Sequence, residues 1–568
     1  MKEHSKDSYS FIFSLIKPLP KLAFSLLFFL SIFLTLYSLI LFYKSPTSSS
    51  NNHHPHLSIR TAIGLGPGPG PVPAQHEPDP DTGPTELRHV AFGIGAAAKH
   101  WPHRKHYVKY WWPGPNVTRG FVFLDQPVDV TRPDNPSDYP TLLVSEDTGG
   151  FPYSHRQGSR SALRITRIVS EMVRIIRSDN TNNNNNNNNN IRWYVMGDDD
   201  TVFFTDNLVK VLRKYDHNKT YYIGSNSETH VQNVNFAHDM AFGGGGFAIS
   251  YPLARAIEKM HDGCIRRYGS LFGSDDRIHA CLAELGVPLT KEPGFHQCDL
   301  YGNLFGLLAA HPIAPLVTLH HLDLLDPIFP YMNRTQALDR LRAPAQLDSA
   351  GLMQQSICYD PVRNWTVSVS WGYAVQIIRG SVTPRDMQRP ARTFVDWYYK
   401  DDPSRFSFNT RAFDKHPCQK PYVYYVNNTR VDSKGKDVIL TEYALHHVPH
   451  SYCWWKTNAN PENVRRVEVY KKPNPHKWDE VWPNLRSLCF LLLHWYLSVY
   501  RAVRLNDSAV LFGEILRFLP VLVFSIVTLG KGSQVEVVSF GICVIWVVSF
   551  GMVIGTVASY ARAGYESR

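Results

Sequence analysis

The sequence predicts an α/β domain followed by a β-rich module. From Val90 onwards, short apolar stretches alternate with an amphipathic helix, which is typical of βαβ units. The helix covers "SRSALRITRIVSEMVRIIRSD", and the strand "IRWYVM" follows it after a run of asparagines at 182–190. Further along, "WTVSVSWGYAVQI" (365–377) alternates apolar and other residues, which predicts a half-buried antiparallel strand.

The predicted helix has one buried face. Its apolar residues recur at intervals of three and four positions, namely Ile165, Ile168, Val169, Met172 and Ile176. Arg164, Arg167 and Arg174 fall outside this stripe, so we expect them to form a solvated face. Three strands are predicted before the helix, at 90–94, 120–125 and 141–147, with a basic and aromatic helix after the first.

The composition indicates a folded chain of more than one domain. With 568 residues, of which 43% are hydrophobic and 13% aromatic, the chain can bury more than one core. The net charge of +10 arises from Lys and Arg scattered along the whole chain, without a nucleic-acid-binding motif. We therefore expect no nucleic-acid partner, while neutral and anionic small substrates remain open.

A hydrophobic run near the N-terminus predicts a membrane anchor. Residues 22–43 are uncharged, are bounded by Lys21 and Lys44, and can cross roughly 30 Å of hydrocarbon as a helix. The lysines before the run favour a cytoplasmic tail at 1–21. A cleaved signal peptide is the alternative, but the run is long for a signal core and no small-residue cleavage site ends it. We therefore expect an uncleaved signal anchor, a Pro-, Gly- and Ser-rich stem at 44–86, and a lumenal remainder.

Cysteines and glycosylation sequons agree with a lumenal location. Between the stem and residue 480 the cysteines are Cys264, Cys281, Cys298, Cys358, Cys418 and Cys453. They predict up to three disulfides of open pairing, and none has the CxxC spacing of a structural zinc site. Asn-X-Ser/Thr sequons occur at Asn116, Asn218, Asn333, Asn364, Asn427 and Asn506.

Three adjacent aspartates stand in an apolar setting in "RWYVMGDDDTVFF". Asp198, Asp199 and Asp200 follow a predicted strand, and α/β sheets bind ligands at the carboxyl ends of such strands. Each carboxylate raises the cost of ionising the next, so the cluster requires a cation or hydrogen-bond donors. Asp206 is predicted to cap the following helix, which leaves no capping role for the triplet. Because the EF-hand spacing is absent, we expect a different site for a hard divalent cation.

Glycines near strand ends are candidates for close approach to a nucleotide. Gly93 lies near the end of the first predicted strand, before a turn at 95–98, although the segment lacks the GxGxxG pattern. In "DMAFGGGGFAIS", Gly244 and Gly245 belong to a run of four glycines before an apolar stretch. Such a run permits a backbone to approach a bound cofactor or substrate, and a simple bend is the alternative.

Two later segments contribute candidate acid–base and metal-binding groups. Asp275 and Asp276 open a helix in "FGSDDRIHACLAELGV", where capping is the alternative role and Ser274 could supply the cap alone. In "HPIAPLVTLHHLD", His320 and His321 follow an apolar stretch directly. A histidine at a strand end is a candidate ligand for a borderline metal, and a structural histidine is the alternative.

Together these segments resemble a plant Fringe-related glycosyltransferase of the β-1,3-glycosyltransferase superfamily. The resemblance covers about residues 86–480 and rests on "WYVMGDDDTVFF", "GGGGFAIS", "GSDDRIHACLAELGV", "HPIAPLVTLHHLDLLDPIFP" and "CWWKT" in this order. It implies a GT-A fold, that is, a Rossmann-like nucleotide-sugar-binding domain at 87–335, with the β-rich C-terminal module at 336–480. It also implies a type II Golgi membrane protein whose catalytic domain is lumenal.

The resemblance implies a manganese site. Asp200 matches the metal ligand of the family's DxD motif and would bind Mn²⁺, while Asp198 or Asp199 would contact the nucleotide ribose or the water shell of the metal. His320 matches the C-terminal metal ligand of the family, with His321 as the alternative. Oxygen ligands with one imidazole suit Mn²⁺ better than Zn²⁺.

The resemblance also implies an inverting reaction. Mn²⁺ between carboxylate and phosphate oxygens would stabilise the leaving nucleoside diphosphate. Of the acidic pair, Asp276 matches the catalytic base, and Asp275 is the neighbour that could replace it. The base would deprotonate the acceptor hydroxyl, so that one displacement inverts the anomeric configuration.

We therefore expect a Golgi type II membrane enzyme that transfers a hexose from a UDP-sugar to a hydroxyl of a glycan or glycoprotein acceptor. The alternative is a catalytically silent lumenal carbohydrate-binding protein on the same fold. A membrane transport component is disfavoured, because the hydrophobic segments contain almost no polar residues. Residues 481–568 form a hydrophobic tail, in which 537–561 is either a second transmembrane segment or a gene-model extension.

Overall fold

In the computed structural model of the protein, an α/β sheet and a mainly antiparallel sheet form the two halves of the described chain. The described residues are 83–128, 135–182, 190–414, 416, 419–432, 437–448 and 460–479, with the backbone of Leu488–Phe490 and Val499–Val503. They belong to one compact unit. The predicted tail at 1–21, the anchor at 22–43, nearly all of the stem and the second span at 537–561 lie outside them. Within the described ranges, no helix is long and apolar enough to cross a membrane.

The α-helices of the described chain are α1 (Trp101–Trp111), α2 (Ser161–Asn182), α3 (Thr205–Leu212), α4 (His230–Asn235), α5 (Tyr251–Arg267), α6 (Asp275–Glu284), α7 (Phe305–Leu308), α8 (Arg334–Asp348) and α9 (Pro384–Met387). The strands of the first half are β1 (Val90–Gly95), β2 (Arg119–Leu124), β3 (Thr141–Val144), β4 (Trp193–Asp198), β5 (Val202–Phe203), β6 (Tyr222–Gly224), β7 (Phe247–Ser250), β8 (Leu289–Lys291), β9 (Leu300–Gly302) and β10 (Thr318–Leu319). Those of the second half are β11 (Gln355–Asp360), β12 (Trp365–Ser370), β13 (Ala374–Arg379), β14 (Ala391–Arg392), β15 (Phe394–Asp396), β16 (Arg411–Ala412), β17 (Tyr422–Val431), β18 (Ile439–Leu445), β19 (Arg466–Lys471), β20 (Leu488–Phe490) and β21 (Val499–Val503).

The first sheet confirms the predicted α/β class. Its spatial order is β3-β2-β1-β4-β7-β6-β8, in which the first four strands are parallel and β7 runs antiparallel to both of its neighbours. Phe92 of β1 packs on Trp111 of α1, with ring centroids 5.0 Å apart. The preceding residue, Ala91, belongs to the opposite cluster with Ile168 and Met172 of α2. Helices therefore cover both faces of the sheet, which explains why β1 has no polar face.

Two arginines of α2 are buried, so the predicted solvated face is wrong at these positions. The guanidinium of Arg164 donates to the carbonyl oxygens of Phe123 at 2.8 Å and Ala96 at 2.9 Å, near the carboxyl ends of β2 and β1. Arg167 forms an ion pair with Asp262 at 3.1 Å. Their partners come from other elements of the fold, which helical periodicity alone does not reveal.

Two helix starts also differ from the prediction. Asp206 was predicted to cap α3, but it lies in the first turn of that helix, and the N-cap residue is Phe204. A carboxylate in the first turn still interacts favourably with the helix dipole. Ser274 occupies the N-cap position of α6 without a side-chain capping bond.

The β-rich module forms a second sheet of order β20-β11-β12-β13-β17-β18-β19-β21. The segment 365–377 was predicted as one strand, but it is the hairpin β12–β13, because Gly372 turns the chain with a φ of +77°. The core of this sheet continues into the first half, since Val202 and Leu300 share one hydrophobic cluster with Trp371. The predicted boundary between the α/β domain and the β-rich module, at 335/336, therefore lies at the start of α8, next to a hydrophobic core to which both parts contribute.

One disulfide joins α5 to α6 through Cys264 and Cys281. Closing a loop of this size stabilises a fold by about 3 kcal/mol. Cys358 is also disulfide-bonded, whereas Cys298 is buried and free. Cys418 and Cys453 lie outside the described residues.

Candidate metal centre and active site

The three aspartates lie at the carboxyl end of β4, next to the end of β1. Asp198 is paired with Gly95 in the parallel ladder, and the N–H of Asp199 donates to the carbonyl oxygen of Gly95 at 3.0 Å. The chain continues from β1 to β2 on one side, while β4 lies on the other, so the strand order reverses here. Open α/β sheets bind ligands at such a point. Thr201 fixes the turn, because its hydroxyl accepts from the N–H of Asp198 and donates to the carbonyl of Gly244.

A short ladder brings His320 to the aspartates. β10 pairs with β5, which begins two residues after Asp200. Nε2 of His320 lies 3.2 Å from Oδ1 of Asp200 and 3.8 Å from Oδ2 of Asp198, and the ligand atoms of the three residues all lie within 4.8 Å of one another. Nδ1 of the ring faces the carbonyl oxygen of Gln297 at 3.2 Å. This contact favours a proton on Nδ1 and leaves Nε2 for a metal.

The charges of this cluster shift the pKa values of its members. Burial raises the pKa of Asp198 to about 7, although the charge of His320 opposes the shift. Burial also acts to raise the pKa of Asp200, but the charge and hydrogen bond of His320 and the charge of Arg104 outweigh it and hold the pKa well below its usual range. Burial acts to lower the pKa of His320, but the charge and hydrogen bond of Asp200 raise it to about 9. Without a metal, an imidazolium thus supplies the positive charge that the carboxylates require.

The donor set fits a divalent cation. Two carboxylates and one imidazole are hard and borderline ligands, as Mn²⁺ prefers. Oδ2 of Asp200 is buried and accepts no hydrogen bond; its charged neighbour is Nη2 of Arg104 at 3.3 Å. A buried carboxylate oxygen without a donor is unfavourable unless a cation completes its surroundings. Asp198, Asp200 and His320 are therefore the residues that would hold the ion.

Arg104 is a site residue that sequence reasoning missed. It lies in α1, and its guanidinium nitrogens reach Asp199 at 3.0 Å, Asp200 at 3.3 Å and Asp323 at 3.1 Å. Tyr107, one turn later, donates its hydroxyl to Asp323 at 2.6 Å. Burial acts to lower the pKa of Arg104, but the charges of Asp200 and Asp199 raise it, so the guanidinium stays charged. The available signal was the basic stretch "HRKH" shortly after β1, which does not show which cation turns inward.

The glycine run packs directly on this site. A Cβ atom at Gly244 would overlap the imidazole of His320. The N–H of Gly245 donates to the side chain of Gln297 at 2.5 Å, and Gly246 has a φ of +80°. Glycine is therefore needed here both for close approach and for backbone conformation.

Asp275 faces the interior of the site. Its carboxylate accepts hydrogen bonds from the N–H of Gly243 and, at 3.0 Å, from the hydroxyl of Ser274. Together with Gly93 and Asp198 it lines a small cavity. Burial raises the pKa of Asp275, and the Gly243 hydrogen bond opposes this shift. Asp275 thus ties the start of α6 to the glycine run.

Asp276 lies at a more open position. Its two carboxylate oxygens accept hydrogen bonds from the N–H groups of Phe272 at 2.9 Å and Gly273 at 3.0 Å. Burial raises the pKa of Asp276, and the Gly273 hydrogen bond opposes the rise. Each oxygen keeps a further lone pair. The backbone therefore orients this carboxylate and leaves it able to accept a proton.

Gly93 and His321 lie near the cluster but outside it. Gly93 is inside β1, where a Cβ atom would lie 3.0 Å from Sδ of Met196, and its small size makes room for α2. His321 has a φ of +54°, and its Nδ1 lies 3.2 Å from Oδ1 of Asp299. Of the two adjacent histidines, the one that the structure brings to the aspartates is His320.

We predict that Gly244→Ala destabilises the protein by about 1–3 kcal/mol, the usual cost of overpacking. The backbone at Gly244 permits alanine, so the cost arises from the overlap with His320. Gly150→Ala is the matched control, because no atom lies within 4 Å of its added methyl group. Denaturant unfolding of the single variants, and of Gly244→Ala combined with His320→Ala, measures how much of the lost stability arises from the overlap of the added methyl group with the imidazole. Equal effects of the two glycine substitutions would contradict the prediction.

Parts of the chain match two described families. Residues 156–302 match the family described as Fringe-like, and residues 232–489 match DUF604, a family of unknown function. A β-1,3-glucosyltransferase of Mus musculus is 30% identical over 142 residues, which are 25% of this chain. The match spans 27% of the mouse protein, about a quarter of its length.

Two solved glycosyltransferase structures are similar to the chain. Galactosyltransferase LgtC, in complex with donor and acceptor sugar analogs, is 13% identical, with 45% of this chain and 95% of that chain covered and a TM-score of 0.27. Mannosyltransferase PcManGT from Pyrobaculum calidifontis, in complex with GDP-Man and Mn²⁺, is 13% identical, with 38% and 58% covered and a TM-score of 0.24. The α/β fold class rests on the chain's own sheet topology. The family matches and the mouse relative support a glycosyltransferase of Fringe-like type.

Proposed function

We propose that this protein is a GT-A glycosyltransferase that transfers a hexose from a UDP-sugar to a glycan hydroxyl, with inversion and with dependence on Mn²⁺. The observation that carries the proposal is the cluster of Asp198, Asp200 and His320 at the reversal of strand order. A sheet edge that accepts nucleotides, combined with cation ligands, suits a nucleoside diphosphate with its adjacent negative charges. The matches to the Fringe-like family and to the mouse β-1,3-glucosyltransferase support the same class of reaction.

The residues around the cluster bind and orient the donor. Bound Mn²⁺ would supply Lewis-acid stabilisation of the UDP leaving group. Arg104 orients Asp199 through a contact of 3.0 Å, and Asp199 would contact the ribose of the nucleotide. The missing side chains of Gly244 and Gly245 let this backbone pack directly on His320 and Gln297, next to the proposed donor site. Because the carboxylates of Asp199 and Asp200 are buried, electrostatic interactions at this site are stronger than in water.

We assign the catalytic base to Asp276 and a positioning role to Asp275. Both residues are partly exposed; the carboxylate of Asp275 is engaged by the glycine run through Gly243 and by Ser274, whereas that of Asp276 is oriented by two backbone N–H groups of its own loop. A carboxylate with a raised pKa is a better proton acceptor near neutral pH. Asp276 would take the proton of the acceptor hydroxyl as it attacks the anomeric carbon.

We further propose that the enzyme is a type II Golgi membrane protein with residues 22–43 as its anchor. The sequon asparagines within the described residues are all exposed, as glycosylation requires: Asn116, Asn218, Asn333, Asn364 and Asn427. The disulfide between Cys264 and Cys281 suits an oxidising lumen.

We predict that Asp200→Asn abolishes the dependence of UDP binding on Mn²⁺ and leaves the fold intact. The substitution keeps the volume of the side chain but removes the charge that holds the ion. In calorimetric titrations, the wild type should bind UDP at least about tenfold more tightly with Mn²⁺ than with a chelator, in line with typical losses at metal sites. Asp339→Asn is the control, since Asp339 is an exposed acid paired with Arg342. Equal affinity of the wild type with and without Mn²⁺ would contradict the metal assignment.

We predict that Asp276→Asn lowers turnover by about 10²-fold with little change in donor affinity, the usual effect of losing a general base. Turnover is followed as UDP release from a panel of UDP-sugars with Mn²⁺. Asp275→Asn is the matched comparison and should act more on stability and on the acceptor KM. The reverse order would move the base to Asp275. Nucleotide binding without turnover of any donor by the wild type would favour the carbohydrate-binding alternative.

A further inference from the structure

A column of aromatic rings runs from His320, in the cluster with Asp198 and Asp200, to the surface. The ring of His321 lies 3.9 Å from that of His320 and is stacked on Trp397, with centroids 5.3 Å apart and an interplanar angle of 25°. Trp397 stacks on Tyr301 at 5.0 Å and 20°, and Tyr301 stacks on Tyr399 at 4.3 Å and 5°. Four ring-to-ring contacts thus connect His320 to Tyr399.

The two halves of the chain build this column together. β9 of the first half pairs antiparallel with β15 of the second, so that Tyr301 lies beside the strand that leads to Trp397. After β15 the chain turns around Asp396, whose carboxylate is fully buried and accepts from the N–H groups of Tyr398 at 3.0 Å and Lys400 at 2.7 Å. An ion pair with Arg405 at 2.6 Å completes the environment of Asp396. The turn that carries the outer rings is therefore held by several directed interactions.

Tyr399, the outermost ring of the column, has a backbone conformation and an exposure that are unusual for a tyrosine with a purely structural role. It has a φ of +59°, which disfavours side chains other than glycine, and it is 68% exposed. Within the described part of the chain, Tyr301 is the aromatic ring that stacks on it, so one face is covered and the other points to solvent. Such a backbone conformation persists where the surrounding structure fixes it, and it is frequent at ligand-binding sites.

We propose that the outer face of Tyr399 binds a sugar ring of the acceptor glycan. The inference rests on the proposed glycosyltransferase function and assigns its acceptor subsite. The C–H face of a pyranose is apolar and flat, so it packs on an exposed aromatic ring while its hydroxyls stay hydrated. Tyr301 also borders a cavity of about 470 Å³, which gives room for a chain of sugars beside the column.

The position of Tyr399 decides which sugar it holds. The groups assigned to the donor, Arg104 and Asp199, approach the cluster from α1 and β4, whereas the column joins it through His321. Because four ring contacts separate Tyr399 from His320, the stacked sugar is not the one that carries the attacking hydroxyl. The acceptor is therefore an oligosaccharide, and Tyr399 binds one of its distal residues.

Binding of oligosaccharides to the full chain tests this subsite without turnover. Saturation-transfer NMR with cellotetraose, β-1,3-galactotetraose and β-1,4-galactotetraose should show transfer to at least one of them, and none to sorbitol, which has no ring. Tyr399→Gly should weaken that binding at least about fivefold, the lower end of typical losses for an aromatic stacking platform. Tyr399→Phe should retain it. Tyr398→Ala removes a neighbouring exposed tyrosine outside the column and should also retain it.

The stability of Tyr399→Gly separates this role from a structural one. Glycine accepts a positive φ, so its melting temperature should equal or exceed that of the wild type while glycan binding is lost. Mn²⁺-dependent UDP binding should be unchanged in Tyr399→Gly. If the wild type itself fails to bind UDP with Mn²⁺, that result counts against the proposed function and not against the acceptor subsite. Equal tetrasaccharide binding by wild type and Tyr399→Gly, or no binding of any tetrasaccharide by the wild type, would overturn the subsite.

Discussion

The structure of the site depends on how positive charges compensate three adjacent carboxylates at the carboxyl ends of the paired strands β1 and β4. Asp199 and Asp200 are buried side by side, and ionised groups in such a position are unfavourable unless they are paired. His320 and Arg104 supply this pairing from opposite parts of the chain. A buried ionic cluster is weak evidence for stability. Its value here is that the carboxylate of Asp200 stays charged beside His320 and Arg104, as the proposed cation site requires.

The C-terminal half of the chain supports this centre as well as extending it. Arg334, at the start of α8, donates to the carbonyl oxygens of Leu322 at 2.7 Å and of Asp323 and Leu325 at 2.9 Å. These bonds fix the segment that directly follows His320 and His321. The start of α8 therefore helps to position His320, and the core of the β-rich module is continuous with that of the α/β half. The aromatic column uses the same junction between the two halves.

The sequence was sufficient for the parts of the structure that depend on local pattern. Apolar periodicity predicted β1, β2, β4 and α2, and Asp200 could be placed at a sheet edge because it follows a strand. His320 lies 120 residues from Asp200, and its place in the cluster was predicted by the family resemblance rather than by spacing. Arg104 lies 95 residues from Asp199, and no pattern in "HRKH" shows which cation turns inward. Contacts of this kind depend on packing between distant elements, as does the burial of Arg164.

We propose that one imidazole and the donor diphosphate share a manganese ion at the Asp198–Asp200–His320 cluster. Pulsed electron–nuclear double resonance of Mn²⁺ and UDP bound to the full chain, prepared without a histidine tag, reads both ligands directly. We expect nitrogen coupling from one imidazole together with phosphorus coupling from UDP, and selective loss of the nitrogen coupling in His320→Ala. Phosphorus coupling without nitrogen coupling in the wild type, or nitrogen coupling that survives in His320→Ala, would contradict it.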